Sequence, residues 1–174
     1  MMISPKVEIV LDADVIIHFA KGGLLHLIPD IFPEYDIVVL DIVKKEIMIP
    51  ALTQLENQIA LLKNIREVKF GDTMEEKREF ARLTSVLCLG RGESASMVYC
   101  RFRNNVVGSS NLKDITDYCD EFKITYLTTI DFLYYGIQRK LISKSDAEAF
   151  IDTVNSMGSR LPKVDFDQYY CGKL

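Results

Sequence analysis

VEIVLDADVIIHFAK, residues Val7 to Lys21, is the stretch whose reading decides the fold. Val7, Ile9, Val10 and Leu11 are apolar and mostly β-branched, with only Glu8 between them. That is the composition of a short strand buried on both faces of a parallel sheet. Two carboxylates follow at once, Asp12 and Asp14, and then Val15, Ile16, Ile17 and Phe19 begin a run with helical spacing. In open α/β sheets ligands bind just beyond the carboxyl ends of strands, so an acid at that point is placed for chemistry. Asp is also a favoured helix N-cap, and that plainer role stays open for both residues.

The alternation continues outward from this stretch. Residues 37–40 (IVVL) read as a second buried strand, 67–70 as a weak one, and 106–109 and 125–127 as two more. Helices are expected over 14–20, stopped by Gly22 and Gly23, and over 24–32, ended by Pro33. A further one from Asp41 carries Val43, Glu46 and Ile47, and Pro50 opens another with Leu52, Leu55, Ile59 and Leu62 in step. Asp72 or Thr73 caps a charged helix. LGRGE, residues 89–93, is a glycine-bracketed turn feeding a helix over 94–103. Helices over 112–122 and 130–140 follow, and Ser145 caps a last one through 157. Strand and helix in turn predict one α/β domain over 1–157, a three-layer α/β/α arrangement around a mostly parallel sheet of four to five strands. Residues 158–174 have no period and are expected to run across the surface as a tail.

Composition narrows the function. The chain has 174 residues, is 48% hydrophobic and carries a net charge of -4, which weighs against a strong non-specific nucleic-acid binder. Cys88, Cys100, Cys119 and Cys171 are scattered without a CxxC, and His18 and His26 are the only histidines, so a zinc site is not expected. Cys100 and Cys119 read as reduced core residues. No signal-peptide pattern or membrane-length apolar run is present, so a cytoplasmic protein is expected. There is no glycine-rich P-loop, and Gly90-Arg91-Gly92 is too short to cradle phosphates.

Placed on this scheme, the acids fall at strand ends. Asp12 and Asp14 follow the first strand, Glu46 lies one to two turns into the helix after the second, and Glu93 opens the helix before the next. Asn111 and Asp114 follow that strand, and Asp131 follows the last. In a parallel sheet they gather at one edge. Crowded carboxylates raise one another's pKa, and a hard divalent cation with oxygen ligands relieves the repulsion and activates water. Taken singly, each acid is as well explained as a cap or a solvated charge.

LDADVII, VVLDIVKKEI, LGRGESASMVYC and VVGSSNLKDI, in that order, resemble the successive motifs of the PIN-domain family. The resemblance covers residues 7–140. It implies an α/β/α fold and a Mg²⁺- or Mn²⁺-dependent ribonuclease, with RNA as substrate and, in the toxin members, an antitoxin-like protein as partner; a homodimer stays open, and the lack of a membrane-length apolar run leaves no membrane expected. Asp12, Glu46 and Glu93 match the family's acids. Asp14 stands where the family more often has Asn. The pattern departs after the fourth strand, where Ser109-Ser110-Asn111 replaces the expected acid. Asp114, three residues on, is the candidate catalytic substitute, and Asp12, Glu93, Asn111 and Asp131 are the candidate metal ligands. Asp14, Arg91, Ser109, Ser110 and Thr128 are the candidate substrate contacts. Two other readings stay open: a non-catalytic PIN-like binding module with vestigial acids, and, from Asp12-Ala13-Asp14-Val15, a haloacid dehalogenase-like phosphatase, for which residues 127–131 (LTTID) lack the late Gly-Asp pair.

Overall fold

The structure, a computed structural model, describes residues 6–174; residues 1–5 of the expected domain lie outside the described residues. Five strands, β1 (Glu8–Leu11), β2 (Asp36–Leu40), β3 (Arg66–Val68), β4 (Val106–Gly108) and β5 (Tyr126–Leu127), form one sheet in the order β3-β2-β1-β4-β5. Every pairing is parallel, with Val10 opposite Val38 on one side and Val107 on the other. Ile9, Val10 and Leu11 are fully buried, as expected of the central strand of a sheet covered on both faces. The chain builds β1, β2 and β3 in one direction and then returns to place β4 on the opposite flank of β1. The join between β1 and β4 is therefore the topological switch point, where α/β sheets leave a crevice at the strands' carboxyl ends.

Helices cover both faces, giving three layers. On one face α1 (Ala13–Lys21) packs against α4 (Ala51–Asn57), α8 (Thr129–Gln138) and α9 (Lys144–Ser156), with the short α2 (Ile28–Ile31) against α8. On the other, α6 (Arg91–Arg103) packs against α3 (Asp41–Lys44), α5 (Met74–Ala81) and α7 (Leu112–Glu121). Among the described residues, no helix is long and apolar enough to cross a membrane. Cys100 and Cys119 are buried free thiols, as expected.

Several local expectations change. The helix from Asp41 is a single turn, and Glu46 lies beyond it in a turn. Residues 24–32 split into a 3₁₀ turn, Leu25–Leu27, and α2. Both α4 and α5 run on into single π turns, Gln58–Leu62 and Arg82–Val86. LGRGE is not a turn: α6 begins at Arg91, so Glu93 sits in its first turn. The cap of α9 is Ser143, whose hydroxyl and the Asp146 carboxylate make a reciprocal capping box. The tail from 158 has neither helix nor strand, yet Leu161, Phe166 and Cys171 are buried against the domain.

Under the α1 face lies an aromatic cluster. Phe132 is fully buried, with its ring centroid 4.9 Å from that of Phe32 and 5.7 Å from that of Phe19, and Phe19 is 5.1 Å from Phe150. Gly108 at the end of β4 is held to glycine by this packing, because a Cβ there would meet Phe132 Cζ at 3.1 Å. Phe132→Ala should cost about 3–5 kcal/mol in urea unfolding, the usual cost of emptying an aromatic site. A loss below about 1 kcal/mol would show that the cluster does not bear on stability.

Candidate functional site

At the switch point the β1 ladder continues one residue further, with Asp12 N–H donating to Gly108 O at 2.8 Å. Asp12 is therefore pinned between β1 and β4 and is only 2% exposed. Its Oδ1 accepts from Ala13 N–H at 2.9 Å, capping α1. Asp14, in the first turn of α1, reaches across the join. Its Oδ2 accepts from Ser110 N–H at 2.7 Å and its Oδ1 from Val15 N–H at 2.6 Å.

Two more acids come from the other face. Glu46 Oε1 accepts from Gly92 N–H at 2.9 Å, at the amino end of α6, where free N–H groups and the helix dipole favour an anion. A Cβ on Gly92 would lie 2.4 Å from Glu46 Oε2 and 3.3 Å from Asp12 Oδ1. Both carboxylates thus border the space that a side chain on Gly92 would take, and one placed there would have to push Glu46 aside. Glu93 folds back over Gly90 in the same way, its Oε2 2.1 Å from where a Cβ would stand.

Asn111 completes the group. Its Nδ2 donates to Glu93 Oε1 at 3.0 Å and to Asp114 Oδ2 at 2.8 Å. Both amide protons are spent on carboxylates, so Asn111 bridges two acids with its donor end. Asp12, Asp14, Glu46, Glu93, Asn111 and Asp114 are brought together as expected.

The electrostatics follow from the crowding. Burial holds the Asp12 carboxyl well above its ordinary range, and the Asp14 and Glu93 charges push it further; the Ala13 N–H and the Ser109 hydroxyl oppose the shift. Burial raises Asp14 to about 6, against the N–H groups of Ser110 and Val15. Glu46 is raised by burial and by Glu93, with Gly92 N–H and Arg91 acting the other way.

Among the described residues, no three Asp, Glu, His or Cys side chains are drawn into a ready metal cage. Glu93 leans on Asn111, Glu46 on Gly92 and Asp14 on Ser110. Asp131, expected as a ligand, is engaged elsewhere. It is 1% exposed and bonds Thr128 in a capping box, Tyr169 OH at 2.7 Å and Lys173 Nζ at 2.9 Å. Burial would raise it, yet the Thr128 N–H, Tyr169 and Lys173 together hold it below its ordinary range. Asp131 fastens the tail to α8, and Thr128 is its capping partner rather than an open substrate contact. Ser109 is fully buried, and its hydroxyl accepts from Asn111 N–H at 3.3 Å. Arg91 is exposed, with its guanidinium 5.2 Å above the Phe80 ring.

Some participants were not foreseen. Thr129 N–H donates to Ser110 Oγ, Ser110 Oγ donates to Thr129 Oγ1, and Thr129 Oγ1 meets His18 Nδ1, each at 2.8 Å. This relay ties α1, β4 and α8 together behind Asp14. Nothing local in the sequence marks it. The paired glycines before Glu93 were visible, but the approach of the Glu46 carboxylate to Gly92 is a tertiary fact. No family model matches this chain, and no curated protein matches it.

A carboxylate whose folded pKa is raised contributes stability below its unfolded value, and that contribution is lost as pH rises through the folded value. For Asp14 the window runs from an ordinary value of 3.8 to about 6. In chelator-treated protein, the urea midpoint should rise as pH falls from 7 towards 5, and Asp14→Asn should reduce that rise. An identical pH profile in both proteins would show that Asp14 is not strained by its neighbours.

Proposed function

We propose that this chain is a PIN-like, divalent-metal-dependent ribonuclease, or a weakened form of one, acting on RNA phosphodiesters. The observation that carries the reading is the convergence of Asp12 and Glu46 on Gly92, with Asp14 beside Asp12 and Glu93 acting on both, at the sheet's switch point. Crowded, mutually repelling oxygen donors around the buried Asp12 suit a hard cation such as Mg²⁺ or Mn²⁺. Asp12 and Glu93 would hold it, with Asn111 offering its amide oxygen. Such an ion supplies polarisation of a phosphate oxygen and a more acidic water. The chain's own part is to fix the acids: Ala13, Ser110 and Gly92 N–H groups orient Asp12, Asp14 and Glu46 before any substrate arrives. Arg91, exposed beside Glu46, is the cation available for a backbone phosphate. An antitoxin-like partner rests on the resemblance, and a cytoplasmic location and a homodimer are proposed alongside it.

One observation favours a second reading, a non-catalytic PIN-like module. Asn111 already bridges Glu93 and Asp114 with two N–H groups, giving each carboxylate a hydrogen-bond partner without a cation. Substitutions separate the two. If the site is a nuclease, Asp12→Asn and Glu93→Gln should each abolish Mn²⁺-dependent cleavage of an RNA oligomer while leaving the fold intact. Asn111→Asp removes the bridging donors and adds a charge, so it should tighten Mn²⁺ binding by about ten- to thirty-fold and raise cleavage. Cleavage of a chromogenic phosphomonoester but not of RNA would instead mark a phosphatase. No cleavage by the native chain and by Asn111→Asp alike, with Mn²⁺ present, would favour the non-catalytic module.

A further inference from the structure

Beside Glu46 lies a cleft of about 360 Å³, within the roughly 300–1,000 Å³ range of small-molecule sites. Its walls are mainly apolar: Ile17 from α1, Met48 and Ile49 from the loop after α3, Ala51 from α4, and Met157 from the end of α9. Met48 and Ile49 are 80% and 78% exposed, large apolar side chains standing at the lip with no protein over them. The cleft is built rather than incidental. Gln54 Nε2 donates to Ala20 O at 3.3 Å, joining α4 to α1. Lys21 Nζ donates to Met157 O and to Ser159 Oγ, each at 2.9 Å, which holds the far wall.

Polar groups converge on one side. Glu46 Oε1 is taken by Gly92 N–H, which leaves Oε2 as an acceptor. Gln54 keeps its carbonyl and a second N–H. Because Glu46 lines this cleft and also belongs to the acidic site, whatever lies along the acids passes the mouth of the cleft.

We propose that this cleft binds a nucleobase bearing an exocyclic amine, its ring between Met48 and Met157 and its amine on Glu46. Thioethers make favourable contacts with aromatic rings, and any base offers a π face while only some offer an amine donor. An accepting carboxylate selects the amine-bearing ones; Lys21, the cation among the cleft's lining residues, is engaged by Met157 O and Ser159 Oγ. The proposal rests on the ribonuclease reading, since it places one base of the bound strand beside the acids.

The test uses the full chain with ¹³C-methyl methionine and nucleosides, which carry no phosphate. Met48 and Met157 report on the cleft; Met97, fully buried, and Met74, on α5, are internal controls. Cytidine and adenosine, without divalent ion, should shift the Met48 and Met157 methyl signals saturably and leave Met74 and Met97 in place. Uridine, which lacks the amine, should bind more weakly. Met48→Ala, at an exposed position, should weaken cytidine binding about three- to ten-fold, the loss of a thioether–ring contact. Glu46→Gln should remove the preference for cytidine over uridine. No shift of Met48 and Met157 at millimolar nucleoside would overturn the proposal, as would equal binding of uridine. Shifts that follow protein concentration without nucleoside would overturn it in favour of a second copy of the chain. Nucleoside binding in a protein that neither binds Mn²⁺ nor cleaves RNA would sink the nuclease reading and leave the cleft. Mn²⁺-dependent cleavage without nucleoside binding would sink the cleft alone.

Discussion

Asp12 is a carboxylate almost without solvent, placed beside Asp14 and Glu93, and its repulsion from them is the constraint around which this end of the molecule is arranged. A buried charge is tolerated only when hydrogen-bonded or paired. Here the compensation comes mostly from backbone N–H groups: Ala13 on Asp12, Val15 and Ser110 on Asp14, Gly92 on Glu46. Three of these four donors lie at the amino ends of helices α1 and α6. A parallel sheet supplies that arrangement as a matter of course, because each strand delivers the chain to a helix start at the same edge. The fold thus collects acids and the N–H groups that hold them in one place. It leaves the raised carboxyl pKa values as residual strain.

Asn111 changes the balance at one corner. An acid there would leave three carboxylates facing one another, Glu93 and Asp114 being the other two. The amide instead donates to both neighbours. Hydrogen bonding by an amide is local and permanent, whereas neutralisation by a bound cation is exchangeable. The corner around Asn111 is therefore settled within the chain, while the Asp12–Glu46 side is not. The cleft lined by Met48 and Met157 opens on that unsettled side.

The strands were legible in the sequence because buried parallel strands are short runs of apolar, β-branched residues, and 8–11, 37–40 and 106–108 are that. The three-layer class followed from their alternation with helices. The order β3-β2-β1-β4-β5 was not legible, since nothing in a run of valines says which strand it will lie beside. The clustering of Asp12, Asp14, Glu46, Glu93 and Asn111 was legible as soon as the sheet was taken to be parallel. Asp131 was misplaced by the same logic. It does follow a strand, but Tyr169 and Lys173, about forty residues on, claim its oxygens. Ser143 lost to Ser145 because each has an acid three residues on, Asp146 and Glu148, and the sequence does not say that the helix starts already at Lys144. The relay through Ser110, Thr129 and His18 joins residues far apart in the chain and has no sequence signature.

Calorimetric titration of Mn²⁺ into the native chain and into Asp12→Asn, at pH 7 after removal of bound metal, tests the central claim most directly. If the strained acids form a cation site, the native chain should bind one ion with release of protons from carboxyls held above their ordinary range, and Asp12→Asn should bind none. Equal binding by both proteins, or no binding by the native chain, would contradict a cation site built on Asp12.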